Sequence, residues 1–191
     1  MTMPIESQKP QSQKAMPETV RLFMYVAAVM IGGELIHQII STVIVLLDPA
    51  ALIEQAKDAQ PSAVAEMGDA QLEAVAYASI ALAELFALAV ILVLALAVRA
   101  VAKKASWAGN ALKLLMVFGG YFALRMLVVM AVPAGGGAVS TAVIAVDGAI
   151  QIIAGVAGIC AIILGTQDEL RQWVAKHGAK DAPGQHNESG S

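Results

Sequence analysis

Four long runs of apolar residues, at about 20–47, 74–102, 111–132 and 141–165, alternate with polar or small-residue segments along the chain. At about 1.5 Å per helical residue each run is long enough to cross a hydrocarbon core about 30 Å thick. The pattern therefore predicts an all-α fold, a four-transmembrane-helix bundle. Residues 1–19 hold Pro4, Pro10 and Pro17 among Gln and Ser, a composition that cannot bury enough apolar surface to order itself, and form an expected flexible tail. In the segment 48–73, Asp48-Pro49 has the form of an N-cap and first-turn proline, so a short helix through Leu52, Ile53 and Ala56 is expected to stop near Pro61. Pro133-Ala134-Gly135-Gly136-Gly137 breaks the third run. Residues 166–178, with Trp173 as anchor, predict an interfacial helix that ends at Gly178, and 179–191 a polar tail.

Polar residues inside the runs stand out. Glu34, His37, Gln38 and Ser41 recur at spacings of three and four, which sets them on one stripe of the first helix, beside Gly32 and Gly33. The other runs contribute Glu84 with Tyr77 on the same face, Tyr121 one turn before Arg125, and Asp147 one turn before Gln151. A charged side chain at the bilayer centre costs roughly 2.5 to 3.5 kcal/mol, so it normally faces the bundle interior and finds a partner. Arg125 and Asp147 lie about six or seven residues from their helix ends, and Gln151, His37, Glu84 and Glu34 about nine to thirteen, a band about 10 Å deep in one half of the membrane. These depths predict one polar network of Glu34, His37, Gln38, Glu84, Tyr121, Arg125, Asp147 and Gln151, in which Arg125 is neutralised by Asp147 and one glutamate. On the last helix Ala154, Gly158, Ala161 and Gly165 continue the stripe of Asp147 and Gln151, and small residues so spaced let membrane helices approach closely.

Composition narrows the class. Of 191 residues 58% are hydrophobic and 14% charged, which fits an integral membrane protein, and a net charge of −3 with no basic patch excludes nucleic acid as an expected partner. The single cysteine, Cys160, lies in the last run and is expected to pack. Glu34 interrupts a first run already too long for a signal peptide, so that run is expected to be retained. Lys9, Lys14, Arg21, Arg99 to Lys113, Arg171, Lys176 and Lys180 flank one set of helix ends, whereas the loops at the other ends share only Lys57. The positive-inside rule then predicts both termini cytoplasmic, in the plasma membrane. On that side Asn187-Glu188-Ser189 carries no glycosylation signal.

Candidate chemistry is sparse. Glu34 and His37 have the i, i+3 spacing of carboxylate-bridged di-iron bundles, which need a second copy of the motif that the chain lacks. A mononuclear zinc or manganese site from Glu34, His37, Glu84 and Asp147 is chemically reasonable, yet Arg125 at the same depth repels a cation. Haem held by two histidines is excluded within one chain, because His177 and His186 follow the last run. With no nucleophile beside a base, no phosphate loop and no HExxH, neither a cofactor nor a conventional active site is expected. Two functions follow: a non-catalytic accessory subunit that binds another membrane protein or itself, or a proton- or cation-coupled transporter or small-ligand-binding protein that uses an outward polar pocket. In its four hydrophobic helices, its Asp48-Pro49 start to the first outer loop and its Ala- and Val-rich runs, the stretch from Pro17 to Gly165 resembles small uncharacterised four-helix integral membrane proteins of actinobacteria. The resemblance implies an envelope protein and carries no functional residue over.

Overall fold

The computed structural model describes residues 16–47, 53–54, 57–58, 68–131 and 140–178. Of the expected tails, 1–15 and 179–191 lie outside the described residues, as does the Pro133 to Gly137 break, whereas Glu18 and Thr19, expected in the first tail, are helical; of the short helix after Asp48 only 53–54 and 57–58 are described, both helical. The described residues form α1 (Glu18–Leu47), α2 (Asp69–Lys103), α3 (Ala108–Ala131), α4 (Thr141–Gly165) and α5 (Asp168–Gly178). The first four are long and apolar enough to cross a membrane, and the fold is an all-helical bundle.

Two further boundaries move from their expected positions. α2 starts at Asp69, five residues ahead of the expected Ala74, because Ala70, Gln71, Leu72 and Glu73 are good helix formers and Leu72 is buried. Its 35 residues make a rod of about 50 Å, so it overruns the hydrocarbon layer or tilts within it. α3 starts at Ala108, three residues early, where the Trp107 carbonyl accepts from the N–H groups of Asn110 and Ala111. α4 keeps its expected limits, with the Ser140 hydroxyl accepting from the Ala142 N–H at its start. Lys104, in the left-handed conformation at φ 52°, closes the C-terminus of α2 through its N–H to the carbonyls of Ala100 and Val101.

α4 is the centre of the bundle. It packs most extensively on α3 and on α1, running antiparallel to both, and α2 lies against α1 and α3. Glycine sets the closeness of these crossings. A Cβ placed on Gly158 would lie 2.5 Å from the Gly119 carbonyl oxygen, and one on Gly33 would lie 3.1 Å from Cβ of Ala154. At Gly165 the same atom would meet the Met116 sulfur at 2.9 Å, and at Gly155 it would collide with Met126. Ala154, Gly158, Ala161 and Gly165, singled out by spacing, are all buried; Gly33, Gly119 and Gly155 complete the seams.

The two halves of the bundle differ. At the end where α1 and α3 begin and α2 and α4 finish, here the basic end, Val20, Phe23, Leu94, Val101, Ala111, Leu115 and Leu170 form a dry apolar core. α5 closes that end: Leu170 is buried, the Trp173 indole N–H donates to the Val101 carbonyl at 3.1 Å, the Lys104 ammonium sits 3.5 Å from the Trp173 ring centre, and the Thr19 hydroxyl donates to Glu169. Towards the opposite, loop end the interior turns polar.

Candidate functional site

α1 brings Glu34, His37 and Gln38 to the seam with α4 because the three residues occupy one and a fraction turns of one helix, and Gly33 lets α4 approach. Arg125 reaches in from α3 at the flank of its buried face, which Phe122 and Met126 occupy, and Asp147 and Gln151 stand one turn apart on α4. The resulting chain of bonds is continuous. Gln38 Nε2 donates to Glu34 Oε1 at 2.6 Å, and Arg125 Nη1 donates to Glu34 Oε2 at 2.7 Å. Arg125 Nε donates to Gln151 Oε1 at 2.9 Å, Gln151 Nε2 donates to Asp147 Oδ2 at 2.7 Å, and Asp147 Oδ1 meets His37 Nδ1 at 2.6 Å.

Arg125 fixes the sense of this chain. A guanidinium only donates, so the Gln151 amide must turn its oxygen to Arg125 and its nitrogen to Asp147. Asp147 Oδ2 then accepts from Gln151, and Asp147 Oδ1 shares one hydrogen with His37 Nδ1. Both oxygens of Glu34, both oxygens of Asp147 and both ends of the Gln151 amide are thus used, and among the described residues no buried side-chain nitrogen or oxygen lacks a partner. The four ionisable side chains are only 11–19% exposed. Two carboxylates face one guanidinium and one imidazole, so the cluster is electrically neutral when His37 is protonated and carries one negative charge when it is not. The space among Gly33, Glu34, His37, Phe122, Arg125, Gln151 and Ala154 is too small to hold a water molecule.

Of the eight residues expected in the network, Glu34, His37, Gln38, Arg125, Asp147 and Gln151 come together, and Glu84 and Tyr121 do not. The Tyr121 ring is half-exposed and stacks edge-on with Phe118 and Phe122, at ring-centre distances of 6.2 and 5.3 Å. It lies about 100° around α3 from the buried face, and the turn it shares with Arg125 runs along the flank. Glu84 has no hydrogen bond or ion pair among the described residues, because α1, α3 and α4 close the network without α2. The expected pairing is corrected too: Arg125 is neutralised by Glu34, and Asp147 is reached only through Gln151 and His37. Depth along the helices favoured Asp147, but antiparallel packing of α4 places Gln151 opposite Arg125.

The metal set of Glu34, His37, Glu84 and Asp147 is not assembled, and among the described residues no three of His, Cys, Asp or Glu meet in a way that could hold a metal ion. Cys160 is partly buried on α4. Compared with protein-family models, curated proteins and solved structures, the chain matches none of them.

Proposed function

We propose that this chain is a non-catalytic accessory subunit of a membrane complex, seated in the cell membrane with both termini cytoplasmic. One observation supports this most: the polar groups of α1, α3 and α4 bond one another in a continuous chain, none of their buried atoms lacks a partner, and the space among them is too small for water. A relay or a ligand site needs groups that exchange partners with water or substrate, and a self-satisfied network instead fixes the register of the helices that carry it. Three helices are locked in this way by ion pairs and glycine seams. What they hold in place is α2, the most apolar span and, with α1, the least buried, with only 11% of its most apolar stretch covered. A rigid unit that presents one long, sparsely covered helix to the bilayer is suited to binding another membrane protein.

The competing reading is a proton- or cation-coupled transporter. Purified chain in phosphatidylcholine vesicles under a pH gradient is expected to give no proton or potassium flux above that of empty vesicles, and in native membranes the chain is expected to migrate as part of a larger assembly. Flux that Asp147→Asn abolishes while folding is retained would overturn the accessory reading in favour of transport.

A further inference from the structure

One stripe of α2 runs Ala76, Ile80, Glu84, Ala87, Ile91, Leu94, Ala97 and Val101 at spacings of three and four. Its basic-end portion is fully covered at Leu94, Ala97 and Val101, whereas Ala76, Ile80, Glu84 and Ala87 are only partly covered. Leu72, one turn before Ala76, is buried again, so coverage lapses between Leu72 and Leu94, and an acid sits in that gap. Glu84 lies fifteen residues before Arg99, about 22 Å from the basic interface and inside a hydrocarbon layer of about 30 Å.

Among the described residues no cation pairs with it. Of twelve lysines and arginines, ten precede α1, lie in its first turn, flank the α2–α3 turn or follow α4. Arg125 is held by Glu34 and Gln151, and Lys57, in the outer connection, is exposed. A second copy would bring another Glu84 and an equally occupied Arg125, so self-association here would set carboxylate against carboxylate. We propose that the partly covered stripe of α2 around Glu84 docks a transmembrane helix of a different protein that carries one lysine or arginine at this depth. Ala76, Ala83 and Ala87 allow such a helix to come close, and the ion pair forms where neither charge keeps its water. The proposal rests on the accessory-subunit reading and names the chemistry of the partner.

The test uses the full chain in phosphatidylcholine vesicles with synthetic single-span Leu-Ala helices that carry lysine, leucine or glutamate at the matching level, their association read by energy transfer. The lysine helix is expected to bind roughly tenfold or more tightly than the leucine helix, and Glu84→Leu is expected to remove that advantage while Glu84→Asp keeps it. Because Glu84 has no partner among the described residues, Glu84→Leu is expected to unfold at the wild-type temperature, so lost binding would not reflect lost structure. Equal binding of the lysine and leucine helices, or an advantage that survives Glu84→Leu, overturns the proposal. So does a homodimer that Glu84→Leu dissolves, which assigns the stripe to a second copy, or labelling of Glu84 by a hydrophobic carbodiimide that the lysine helix fails to protect, which marks a neutral, lipid-facing acid. In native membranes Glu84→Leu is expected to release the chain from its assembly. An assembly unchanged by that substitution overturns Glu84 as the docking residue and leaves the accessory reading in place; a wild-type chain that migrates alone removes both.

Discussion

Glu34 spends one carboxylate oxygen on Arg125 and the other on Gln38, so no single replacement at this residue is silent. Glu34→Leu strands the guanidinium in a nearly dry seam, and removing one partner of such a pair is expected to cost about 3 to 5 kcal/mol. Arg125→Leu leaves the carboxylate in the same position. The double replacement is expected to cost less than the two singles together by at least about 1 kcal/mol, read from denaturation in mixed detergent, because it removes both charges at once. Strict additivity would show that the 2.7 Å contact contributes no coupling. Asp147→Asn tests the direction of the bonds. Gln151 cannot flip without presenting its NH2 to Arg125, so the new amide must point its oxygen at Gln151 and its nitrogen at His37. His37 is then expected to accept at Nδ1 and carry its proton on Nε2, which nitrogen NMR of labelled histidine reads directly; an Nδ1–H would show that the Gln151 amide has turned instead. Which residue types meet at the network was legible from periodicity and depth, since lone polar groups in apolar runs have few places to go. Which acid takes the arginine was not, because that depends on a shift of one turn between α3 and α4 that no single helix encodes.

At the scale of the helix, glycine decides which elements touch. Gly158 and Gly119 face each other across α3 and α4 so closely that neither accepts a Cβ without moving backbone, since the neighbouring atom is a carbonyl oxygen at 2.5 or 2.7 Å. Gly158→Val is expected to push these helices apart, lower stability by about 1 to 3 kcal/mol or more, and loosen the Arg125–Gln151 bond that spans the same seam. Gly32→Ala is the control: nothing lies within 4 Å of the added atom, so stability is expected to hold or rise by up to about 1 kcal/mol through lower chain entropy. Thermal unfolding of the two variants side by side checks both, and equal losses would mean that the seam is not close-packed. The small stripe of α4 was visible from the sequence because four of its residues share a spacing. Its counterparts Gly33 and Gly119 each stand beside a second glycine, Gly32 or Gly120, that points into open space, and the sequence alone does not distinguish the members of each pair. Glu84 misled for a related reason: it has the right depth and an inward face, yet between Leu72 and Leu94 no residue of α2 is buried against the bundle.

For the molecule as a whole, four spans require α1 to begin and α4 to end on the same side of the membrane, and the side is a matter of charge. Arg21, Arg99, Lys103, Lys104, Lys113 and Arg171, six charges in all, sit at the basic end, where Lys104 and Trp173 also form the headgroup-level contact expected of an interfacial anchor. Lys57 alone opposes them. In a Cys160→Ser background, single cysteines at Ser12 and Ser189 are expected to react with a membrane-impermeant maleimide only after permeabilisation, and cysteines at Gln60 and Ala138 in intact cells. That labelling result would assign depth to everything else: the apolar core to the cytoplasmic half, and the ion pairs and Glu84 to the outer half. Replacing Lys103, Lys104 and Lys113 by glutamine removes half of those six charges, and partial reversal of the labelling pattern is the expected result, since orientation responds to lysine and arginine counts near the spans. Labelling at Ser12 in intact wild-type cells would invert the assignment. It would place the Glu34–Arg125 and His37–Asp147 pairs, and any helix docked at Glu84, in the leaflet facing the cytoplasm, without altering a single contact among α1, α3 and α4.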